Sequence, residues 1–144
     1  MQSKFFVFFM LSLPLTAQAQ TKPRCDGERL STADEGFCLA TEYDQASKLL
    51  SGKIRQLLEL AASADTGFSD PKYVKERRAA FVQAIRESQN SWRRLVEAEC
   101  SVLVVGSFGI GNGGENAAVQ CKIDRTYERI GHLSKTEAYR WLWP

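Results

Sequence analysis

The chain has 144 residues and a formal charge of +2, which bounds it to one domain with a modest core. A charge this close to zero excludes the strongly basic face that wholesale binding of nucleic acid or anionic lipid requires. The only histidine is His132 and no Cys-x-x-Cys pair occurs, so neither a metal site nor a cofactor is expected.

The N-terminus reads as an export signal. Lys4 precedes an apolar run over residues 5–15, and Ala17-Gln18-Ala19 has the small-x-small pattern that signal peptidase cuts. Cleavage would remove residues 1–19 and leave one domain over 20–144 carrying +1. The run is too short for a bilayer of about 30 Å, and no cysteine follows the cut to take a lipid. A periplasmic or secreted protein without stable membrane insertion is expected. In that setting Cys25, Cys38, Cys100 and Cys121 read as two disulfides. Three pairings are possible. The two short closures, Cys25–Cys38 and Cys100–Cys121, are preferred, with Cys38–Cys100 as a competitor.

From Cys38 to about Ala64, Leu39, Tyr43, Ala46, Leu50, Ile54, Leu57 and Ala61 recur at steps of three and four, one stripe of an amphipathic helix. Gly67 follows as a residue suited to positive φ. Asp70 then reads as an N-cap and Pro71 as the first residue of a second helix reaching about Cys100. Its stripe is Val74, Phe81, Ile85, Ser88, Trp92, Leu95 and Val96, with Gln89, Arg93 and Arg94 as solvated flanks. A short connection makes the two helices antiparallel and returns Cys100 to the level of Cys38, hence the competing bond. Residues 102–105 suggest a short extended piece, and the glycines over 106–114 a loop. A short third helix is expected from about Cys121, with Ile123, Tyr127 and Ile130 on one face. Ser134 and Glu137 are spaced as a capping box for one further turn. The terminus, with Trp141 and Trp143, is unusually aromatic. The fold class is all-α: a long antiparallel hairpin and a short third helix, stapled by two disulfides.

Little here points to catalysis. His132 has no nucleophile beside it in the sequence, and no carboxylate falls in a segment resembling an apolar pocket that would raise its pKa. Gly-Ile-Gly-Asn-Gly-Gly at 109–114 lacks the Gly-Lys-Ser/Thr ending of a phosphate loop. A glycine loop tethered by Cys100 and Cys121 is better suited to protein binding, since little entropy is lost on docking. Charge is polarised along the hairpin. Asp26, Glu28, Asp34, Glu35, Glu42 and Asp44 gather at one end, to which Glu97 and Glu99 return, whereas Lys72, Lys75, Arg77 and Arg78 mark the other.

Gln89-Asn90-Ser91-Trp92, Glu97-Ala98-Glu99-Cys100, Gly113-Gly114, then Cys121, Thr126-x-x-Arg129 and Leu133 resemble the N-terminal domain family of the lysozyme inhibitor LprI. The resemblance covers roughly residues 25–134 and implies a disulfide-bonded helical hairpin that blocks lysozyme by binding it. It departs from the family in the apolar residues 102–108, the aromatic tail and the lack of a lipidation cysteine. The implied partner is a C-type lysozyme. Such enzymes are basic, so the expected contact residues are Asp34, Glu35, Glu42 and Glu97, with Asn112, Gly113, Gly114 and Glu115 of the loop. The alternative is an envelope interaction module with no inhibitory role, binding through the aromatic tail.

Overall fold

A computed structural model describes Cys25 and residues 30–108 and 113–135. The export signal, Asn112 and the aromatic tail lie outside the described residues.

Helix α1 spans Thr32–Ser63. It starts six residues before Cys38, because Ser31 caps it: the Asp34 amide donates to the Ser31 hydroxyl at 3.2 Å. Asp34 and Glu35 add negative charge to the positive end of the helix dipole. The buried stripe is Leu39, Glu42, Ala46, Leu50, Leu57 and Ala61. At 1.5 Å per residue the helix is about 48 Å long.

The turn after α1 has two supports. Gly67 adopts φ +69°, and its amide donates to Asp65 Oδ1 at 3.0 Å. Arg78 reaches back from the next helix to donate to the carbonyls of Ala64 (2.9 Å) and Ser63 (3.3 Å). A base near the start of its own helix is unfavourably placed for that dipole. Here it serves the negative end of its neighbour.

Helix α2 spans Pro71–Val96, capped by Asp70, which accepts from the Lys72 amide at 2.8 Å. It does not stop at Cys100. A π-helical stretch, Glu97–Val104, and one α-turn, Val105–Ser107, carry it further. The extended piece expected over 102–105 is therefore helical. Val102 and Leu103 are 65% and 68% exposed with no strand among the described residues to pair with, and their backbone continues the helical bonding of the preceding segment.

Helix α3 spans Gly113–Lys135, beginning eight residues before Cys121. Gly114 lies against Phe108 and Val105, where a Cβ would meet them at ordinary contact distances of 3.4 and 3.6 Å. Asn116 donates to the Thr32 carbonyl and to Glu35 Oε2, both at 3.0 Å, so α3 starts beside the start of α1 and runs parallel to it. Ser134 is inside α3 rather than capping a new turn, its hydroxyl donating to the Ile130 carbonyl.

Three helices thus pack up, down and up. Toward the hairpin tip they enclose Leu50, Leu57, Ala61, Ile85 and Leu133, with Phe81, Ile130 and a half-buried Trp92 around them. At the other end a smaller cluster joins Cys25, Leu39 and Ile123. The disulfides are Cys25–Cys38 and Cys100–Cys121, both at that end. The competing Cys38–Cys100 bond does not form: Cys100 is wholly buried and bonded to Cys121 of α3. Among the described residues no helix is long and apolar enough to cross a membrane.

Candidate functional site

The start of α1 and the start of α3 make the disulfide end of the bundle. Asp34 is exposed, bonded only to the Ser31 cap. Glu35 is half-buried and accepts from Asn116, which brings it beside Glu115 of α3. Thr32, Gly36, Phe37 and Ala40 join Glu115 and Asn116 around a shallow depression of about 460 Å³. Phe37 is the most exposed large apolar residue described, at 76%. The α2 extension adds Val102, Leu103 and Phe108 to the same end. The outcome is an apolar surface flanked by Asp34, Glu35 and Glu115, which have no ion-pair partner among the described residues.

Other expected contact residues sit elsewhere. Glu42 is 1% exposed and cannot meet a partner. It lies three residues after Leu39 and four before Ala46, on the buried stripe, while its neighbour Tyr43 takes the margin. Its Oε1 has no hydrogen-bond partner among the described residues, and Oε2 lies 3.7 Å from Cys25 Sγ, a disulfide sulfur with no hydrogen to donate. Gly114 is buried under Phe108, whereas Gly113 is exposed.

Glu97 is exposed but neutralised. Lys122 Nζ lies 3.1 Å from its carboxylate, and hydrogen bonds from Ser101 and Lys122, with the lysine's charge, hold its pKa below the usual carboxylate range. Glu99 pairs with Arg125 at 3.1 Å. Arg125 also bonds Glu128, and these two acids raise its pKa. The π-helical acids therefore clamp the α2 extension onto α3 and add little to the acidic surface. Asp44 is likewise paired, with Lys48 at 2.6 Å.

The sequence motifs converge on the interior. Gln89 is 4% exposed rather than a solvated flank, because it stands four residues after Ile85 and three before Trp92. Its Oε1 accepts from Arg129 Nε at 3.3 Å, and Arg129 Nη2 reaches Ser88 Oγ at 2.8 Å. Thr126 is buried, its hydroxyl donating to the Lys122 carbonyl at 2.7 Å. Leu133 is fully buried. Residues 25–133 match the family model described as lysozyme inhibitor LprI. The chain belongs to the LprI family. No curated protein and no solved structure matches it.

In this LprI-family chain the recognisable residues are thus those that build the bundle: Gln89, Thr126 and Arg129 as a buried polar layer, Leu133 as core, Gly114 as a close contact, and the cysteines as staples. The surface that faces outward, Phe37 with its flanking acids, belongs to none of those motifs. The signal for it was present but faint. Phe37 interrupts an otherwise acidic and small-residue segment, off the stripe that Leu39 and Ala46 define.

Proposed function

We propose that this protein binds and inhibits a C-type lysozyme outside the cytoplasm, through the disulfide end of its bundle. Membership in the LprI family supports the inhibitory reading, and the two disulfides suit an oxidising compartment. The observation that carries the choice of surface is Phe37, 76% exposed beside Asp34, Glu35 and Glu115. An exposed aromatic anchor within a polar rim is how binding energy is commonly concentrated. Acids with no ion pair among the described residues suit a basic enzyme and would steer its approach. Both disulfides lie beneath the surface and hold it in one arrangement before contact, which lowers the entropy lost on docking. Residues 20–144 would be the working form, with no metal or cofactor.

The test is hydrolysis of peptidoglycan by a C-type lysozyme with the oxidised protein added. Slower hydrolysis is expected, and no effect at any ratio would end the proposal. Phe37→Ala should weaken binding by about 2 kcal/mol, roughly thirtyfold. The pair Asp34→Asn and Glu115→Gln should slow association mainly at low salt, because the Debye length falls to about 8 Å near physiological ionic strength. Surface plasmon resonance at several salt concentrations separates the two effects. Full affinity in both variants would move the interface off this end.

A further inference from the structure

A second surface differs in every respect from the acidic end. Midway along the bundle a groove of about 640 Å³ opens between α1 and α2, with Thr126 of α3 contributing to its lining. That volume is in the range of small-molecule sites. Ile54 on one wall and the half-buried Trp92 on the other give it an apolar lining. Arg55 on α1 and Arg93 on α2 are exposed on its facing walls, and neither has an ion pair among the described residues. Glu97 and Lys122 also line it, but they neutralise each other. The local charge left over is positive.

Gln89, 4% exposed, also lines the groove, and one end of its amide is unanswered. A guanidinium only donates, so Arg129 Nε at 3.3 Å fixes Oε1 as the acceptor. This orientation leaves Nε2 as a buried donor with no acceptor among the described residues. A buried donor left in that state is unfavourable, and a ligand oxygen would relieve it. Thr126 cannot donate to a ligand, since its hydroxyl hydrogen is given to the Lys122 carbonyl.

We propose that the α1–α2 groove binds a small carboxylate with an apolar body. One carboxylate oxygen would accept from Arg55 and Arg93, and the other would give Gln89 Nε2 the acceptor it lacks among the described residues. The apolar body packs against Trp92 and Ile54. Fatty acids have this chemistry, whereas peptide-bearing fragments of the cell wall carry a carboxylate on a polar body and serve as the contrast. The site is independent of the acidic surface, and its test contains no lysozyme.

The experiment is an NMR titration of the oxidised, ¹⁵N-labelled protein in two arms, one with N-acetylmuramyl dipeptide and one with decanoate. Saturable shifts of the Gln89 side-chain amide and the Trp92 indole N–H are expected in the decanoate arm, with the polar muramyl dipeptide binding roughly tenfold or more weakly. The double variant Arg55→Gln, Arg93→Gln changes only exposed side chains. It should keep the wild-type melting temperature and lose roughly tenfold or more in affinity. Three results would overturn the proposal: no binding of decanoate up to about 10 mM, shifts confined to residues outside the groove, or undiminished affinity in the double variant.

Discussion

The two ends of the bundle are held together by different means. Toward the hairpin tip, Leu57, Ala61, Ile85 and Leu133 pack between the helices, and the cohesion is apolar contact. At the other end the buried cluster shrinks to Cys25, Leu39 and Ile123, while two disulfides and the Glu97–Lys122 and Glu99–Arg125 pairs are added. An end that presents Phe37, Val102, Leu103 and Phe108 to solvent has placed there the side chains that elsewhere would form its core. Cross-links replace the missing cohesion. The surface proposed for binding can therefore be apolar and still stay put, because cross-links rather than apolar burial hold it.

The contrast is open to attack at four points. Leu133→Ala empties a fully buried position among the apolar residues nearer the tip and should cost about 2–5 kcal/mol in chemical denaturation. A loss under 1 kcal/mol would mean that the tip is not held by packing. Replacing Cys100 and Cys121 by serine opens a 21-residue closure and should cost about 3 kcal/mol. Hydrogen exchange should then rise around Gly114 and Cys121 but not around Leu57; uniform loosening would erase the distinction between the ends. Ser31→Ala removes the N-cap of α1 and should cost about 1 kcal/mol, with fraying limited to its first turn. The smallest effect is electrostatic. Lys122→Ala should return the Glu97 pKa upward toward the ordinary carboxylate value, measured by NMR titration. Because that pKa is depressed in the folded protein, the pair's contribution is present above the ordinary value and fades as pH falls through the depressed one. Stability should differ between wild type and variant only above that range.

Much of the architecture was legible because the governing rule is local. Ile85, Trp92 and Val96 mark the buried face of α2 by spacing, and Asp70-Pro71 announces its start. Two further buried positions obeyed the same spacing and were obscured by their chemistry. Glu42 and Gln89 stand where Leu or Ala would be read as core without hesitation, and polar side chains there suggest solvent. The α2 extension failed for the opposite reason. The Val-Leu-Val-Val run has the side chains of a strand, but strand formation needs a partner, and partnership is not a property of a segment alone. The start of α3 at Gly113 is tied to α1 by Asn116, which donates to the Thr32 carbonyl and Glu35, tertiary contacts with no local signature. As for the surface proposed for binding, its acids were visible in the sequence, but which acids are cancelled by Lys122 and Arg125 is decided by how α3 docks.

The disulfides also have a topological consequence. Their loops, 25–38 and 100–121, neither overlap nor enclose one another. Each can close as soon as its own segment has emerged, in the order of the chain, without waiting for distant residues. The same arrangement leaves the long stretch between Cys38 and Cys100 outside any covalent ring. A single protease cut in the exposed turn at Gly67-Phe68 would therefore yield two pieces that separate on a denaturing gel without reductant. In the folded state only the packing between helices would keep those pieces in one particle.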